Sequence, residues 1–105
     1  MFEKDLSLSV LYDLYGALLN EAQQNVFEAY YLEDLSLAEI AGEKGVSRQA
    51  VRSLLVRASE ELKAYEQKLG LWKKNEKLKK LCDALAGEAD RDQKEKILSE
   101  IRGIL

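Results

Sequence analysis

Between Ser36 and Val56 the chain reads SLAEIAGEKGVSRQAVRSLLV, and this stretch constrains the fold more than any other. Ser36 followed by Glu39 is a capping box, so the spacing predicts a short helix from Leu37, inside residues 37–44. Gly45 supplies the left-handed residue that a tight helix end needs. Ser47 is a good N-cap for a second helix. Ile40, Ala41, Val46, Val51 and Leu54 are expected to fall inward at the elbow, with Val46 as an apolar plug. Ala41 is small where two steeply crossing helices leave little room. The pattern predicts a helix-turn-helix at 36–56.

The second helix opens with Arg48, Gln49, Arg52 and Ser53 on its outward side, and Ser47 sits at the turn before them. Side chains of these types fork onto guanine, pair with adenine or hold phosphate. Ser47, Arg48, Gln49, Arg52 and Ser53 are therefore the candidate nucleic-acid-binding residues. A helix-turn-helix is also an ordinary way to pack two helices, so the charge distribution has to be weighed beside it. The net charge is −3, but it is unevenly spread. Residues 1–47 carry two lysines against nine carboxylates, a balance of −7, whereas residues 48–80 stand at +6 and residues 81–105 at −2. The positive block coincides with the second helix of the motif and its C-terminal continuation. That is the footprint of one surface meeting a polyanion while the rest keeps the chain soluble.

A chain of 105 residues suits one domain of ordinary size. There is no proline, and most glycines fall where helices would stop, so the fold class is all-α. Leu8, Leu11, Tyr12, Tyr15, Leu18 and Leu19 fit one stripe of a first helix. Asn20 with Gln23 forms a second capping box, opening a helix to about Glu33 that buries Ala22, Val26, Ala29 and Tyr30. The helix carrying the candidate site is long: Val51, Leu54, Leu55, Ala58, Leu62, Tyr65 and Leu69 hold one face as far as Gly70. Residues 1–70 thus form the helix-turn-helix domain. Residues 71–105 form a helical hairpin, from Leu71, Leu78, Leu81 and Leu85 on one side and Ile97, Leu98, Ile101, Ile104 and Leu105 on the other. The hairpin is expected to cover the Leu62–Tyr65–Leu69 stripe or to lie at a homodimer interface. On its first helix Lys73, Lys77 and Lys80 share a face, either a secondary phosphate-contacting stripe or a solvated surface.

Met1 leads straight into Phe2, Glu3, Lys4 and Asp5, which is not a signal peptide, and no apolar run is long enough to span a bilayer. A lone cysteine, Cys82, fits a reducing cytoplasm and is expected in the core beside Leu78 and Leu85. The absence of histidine removes the commonest general base and the commonest metal ligand. No Walker glycine loop is present. An enzyme is not expected, nor a cofactor or a metal.

Leu11–Leu19 (LYDLYGALL), Tyr30–Ala41 (YYLEDLSLAEIA) and Gly45–Val51 (GVSRQAV) resemble the YlxM family, and the likeness runs through Glu61-Leu62 and Tyr65-Glu66 to Leu69. The same stretch is similar to region 4 of bacterial sigma factors, although LYDLYG before the pattern favours YlxM. The resemblance implies a small cytoplasmic bacterial protein of the signal recognition particle pathway that binds DNA in a regulatory role. It equally admits the particle's RNA as the polyanion, contacted at phosphates, loops and bulges because the major groove of duplex RNA is closed to a helix. A second class of function stays open, an adaptor that docks on a particle GTPase without reading DNA.

Overall fold

The computed structural model describes residues 4–105, so Met1, Phe2 and Glu3, used above to read the N-terminus, lie outside the described residues. Among the described residues six α-helices succeed one another: α1 (Ser7–Tyr15), α2 (Glu21–Phe27), α3 (Leu37–Lys44), α4 (Arg48–Leu69), α5 (Leu71–Gly87) and α6 (Arg91–Ile104). No strand occurs among the described residues, and the fold is all-α. The chain divides into two units, residues 1–69 and 70–105.

In the first unit, α1, α2 and α3 all pack against α4. Leu8, Leu11 and Tyr15 of α1 meet Val51, Leu55, Ala58 and Leu62 of α4 in a core that also takes Val26, Phe27 and Ile40. Asn20 caps α2 as its spacing predicts. Its side chain accepts from the Gln23 amide at 2.8 Å, and the Gln23 side chain accepts from the Asn20 amide at 3.0 Å. That reciprocal cap fixes the helix phase, so Gln23, Val26, Phe27 and Tyr30 turn inward and Ala22 faces solvent instead of the core. A second departure comes just after α1. Residues 16–18 tighten into a 3₁₀ turn, Leu19 takes the buried place, and Leu18 is left 56% exposed.

Beyond Phe27 the helix widens into a π segment, Glu28–Leu32. Such a segment inserts an extra residue per turn. Here it sustains an aromatic ladder in which Phe27 stacks on Tyr12 and on Tyr31, each at a centroid distance of 4.4 Å. The Tyr12 hydroxyl donates to Glu28 at 2.7 Å. Gly16 makes room for that ring, since a Cβ there would lie 2.8 Å from it. Lys4 pairs with Asp34 and lies 4.8 Å from the Tyr30 ring, holding the loop that leads into α3.

Of the apolar stripe at the end of α4, Leu62 and Tyr65 meet the first unit's core and α1, whereas Leu69 stays 57% exposed. Leu62 is fully buried, and Tyr65 leans on Tyr15 at 6.0 Å. In the second unit, α5 and α6 pack as a hairpin. Leu78, Leu81 and Leu85 of α5, with Ile97, Leu98, Ile101 and Ile104 of α6, are half-buried, and neither helix has a fully buried residue. Cys82 is exposed, which corrects its expected place in the core. It sits at the edge of a stripe that is itself only half covered.

Candidate nucleic-acid interface

Two caps and one glycine position the site. Ser36 Oγ accepts from the Glu39 amide at 3.1 Å, and the Glu39 carboxylate accepts from the Ser36 amide at 3.2 Å. Gly45 ends α3 in the left-handed conformation, φ 65° and ψ 35°. The amides of Gly45 and Val46 both donate to the Ala41 carbonyl, the latter at 3.1 Å. Ser47 Oγ then accepts from the Ala50 amide at 3.0 Å and starts α4. Ile40, Ala41 and Val51 are buried at the elbow and Leu54 is half-buried. Val46 is not a plug. Its side chain is 45% exposed, because the main chain closes the turn and leaves the side chain outside.

Ser47, Arg48, Gln49, Arg52 and Ser53 are all exposed, four of them on the first two turns of one helix. With its oxygen engaged as a cap, Ser47 has chiefly its hydroxyl proton to offer a phosphate. Among the described residues no carboxylate pairs with Arg48 or Arg52, whereas Lys4 pairs with Asp34 and Lys63 lies 3.9 Å from Asp5. These guanidinium groups are thus available to an outside anion without breaking an internal pair. A motif-based reading stops at Ser53 and omits Arg57, which is exposed one turn further along α4. The i, i+4, i+8 spacing of Gln49, Ser53 and Arg57 is the signal that finds it. Lys73, Lys77 and Lys80 are exposed on α5, in the unit formed by residues 70–105.

Two helices crossing through a glycine turn, both capped at their starts and the second bearing an open cationic end, define a helix-turn-helix protein. The chain belongs to the UPF0122 family, whose family model matches residues 2–101 and carries the description "Putative helix-turn-helix protein, YlxM / p13 like". It is 49% identical to a UPF0122 protein of Symbiobacterium thermophilum over 84 residues, covering 80% of this chain and 78% of that one. A UPF0122 protein of Caldanaerobacter subterraneus is 46% identical over 80 residues, 76% of this chain and 68% of its own. One from Clostridium perfringens is 44% identical over 90 residues, 86% and 80% respectively. No helix among the described residues is long and apolar enough to cross a membrane.

Proposed function

We propose that this chain is a nucleic-acid-binding regulatory protein that acts in the cytoplasm and presents the start of α4 to duplex DNA. The observation that carries the reading is the set of exposed donors Arg48, Gln49, Arg52 and Ser53, with no carboxylate paired to either arginine among the described residues. In helix-turn-helix proteins the N-terminal residues of the second helix meet base edges, while phosphate contacts set the register. The family resemblance extends this to an accessory role beside the signal recognition particle, with the particle's RNA as the competing polyanion.

A second reading, an adaptor docking on a particle GTPase, is favoured by the acidity of residues 1–47, with their balance of −7. An electrophoretic shift with random duplex DNA and with the particle's RNA, over a salt series, separates these. Reversing Arg48 and Arg52 to Glu is expected to weaken binding and flatten its salt dependence, since fewer counterions are released. Binding that survives the double reversal with an unchanged slope transfers the site to Lys73, Lys77 and Lys80. No shift with either nucleic acid favours the adaptor.

A homodimer through the α5–α6 hairpin belongs to the same reading. Within the unit formed by residues 70–105, the packing of α5 on α6 leaves seven aliphatic side chains half-buried. A two-fold pair would bring two copies of α4 to one polyanion and raise affinity without a new contact.

A further inference from the structure

We infer that Arg57 is a further contact residue of this interface, holding a backbone phosphate on the opposite wall of a duplex groove from Arg48 and Arg52. The inference rests on the nucleic-acid reading above and adds to it the direction in which α4 lies. Successive residues of a helix are turned by about 100°. On α4 this places Gln49 and Ser53 close together in azimuth. Arg48 and Arg52 flank them on one side, and Arg57 flanks them on the other. Short polar side chains therefore occupy the middle of the exposed face, and guanidinium groups occupy both of its edges.

Width agrees with azimuth. A helix with its side chains is about 10–12 Å across, so groups on its two flanks can reach opposite walls of a groove of matching width. The major groove of B-form DNA is about 12 Å wide. By the same rotation Glu60 falls between Gln49 and Ser53 in azimuth, a turn past Arg57, and its exposed carboxylate ends the cationic face. Among the described residues the Arg57 guanidinium has no ion pair or hydrogen-bond partner. A helix entering the groove along this face would direct Gln49 and Ser53 at base edges and an arginine at each phosphate wall. The major groove of A-form RNA is too deep and narrow to admit that arrangement, so the geometry commits to duplex DNA.

The test is fluorescence anisotropy of the full chain on labelled duplexes of several sequences, over a potassium chloride series. Arg57→Gln should lower the slope of log affinity against log salt by about 0.9, the value for one lost phosphate contact. It should weaken every duplex by a similar factor and leave the ranking of sequences unchanged. Arg57→Lys should restore the slope, and circular dichroism should match the parent for both variants. If Arg57→Gln keeps the parent's affinity and slope while Arg48→Gln and Arg52→Gln lose theirs, Arg57 is not a contact, but the interface stands. If none of the three changes binding, the interface itself is misplaced. A parent that binds the particle's RNA but no duplex overturns the groove geometry and Arg57 with it.

Discussion

The Tyr15 hydroxyl donates a 2.7 Å hydrogen bond to the carboxylate of Glu66, a residue 51 positions further along the chain. Tyr15 ends α1 and is 1% exposed, whereas Glu66 lies near the far end of α4 and is half-buried. The bond therefore ties the first helix of the unit to the last. Hydrogen bonds to a charged acceptor contribute about 1.5–3 kcal/mol. Tyr15→Phe should cost toward the low end of that range, because the half-buried carboxylate regains water. Urea denaturation measures it, and an unchanged midpoint would show that the contact contributes nothing.

Tyr12 gives a pH signature. Burial first, and then its bond to the Glu28 carboxylate, push its phenol from the ordinary 10.0 up to about 12. The fold thus favours the neutral ring, and the unfolded chain releases that proton first. The associated stability is complete below pH 10 and is lost as the pH climbs toward about 12. Tyr12→Phe should flatten that loss. Denaturation curves for parent and variant across this window check it, and parallel curves would refute the assignment.

Gly42 and Gly45 should respond to alanine in opposite directions. A Cβ at either position meets nothing within 4 Å, so packing does not separate them. Backbone does. Gly45 has φ +65°, where an alanine costs roughly 1–2 kcal/mol. Gly42 lies inside α3, where replacing glycine by alanine is worth about 0.5–1 kcal/mol. Thermal melts should show Gly45→Ala lowered and Gly42→Ala raised. Shifts of the same sign would contradict the described turn.

The proposed dimer predicts a mass of twice the chain by light scattering at micromolar concentration. Ile101→Asp, at the centre of the half-buried stripe of α6, should return it to the monomer. A parent that is already monomeric ends the proposal.

What could be read from sequence was whatever local hydrogen bonding decides. The boxes at Asn20–Gln23 and Ser36–Glu39, the cap at Ser47 and the glycine at 45 each involve residues three or four apart, and all form as their spacing predicts. Azimuth was harder to read wherever the helix departs from 3.6 residues per turn. Extrapolating one α-helical stripe sends Leu18 inward across a 3₁₀ turn, and the π segment at Glu28–Leu32 is invisible to the same rule. Val46 failed for a related reason, since apolar character says nothing about which side of a main-chain turn a side chain occupies. Arg57 was passed over because motif templates end sooner than the open face of α4.

A helix cannot be twisted at one end and held at the other without breaking its own hydrogen bonds. Glu66 and Gln49 share one uninterrupted helix and stand about 26 Å apart along it at about 1.5 Å per residue. The phenol of Tyr15 therefore helps aim side chains it never approaches. If the tip of α4 meets DNA as proposed, a substitution in α1 that loosened this anchor would register as lost discrimination between duplexes, with every residue at the tip unaltered.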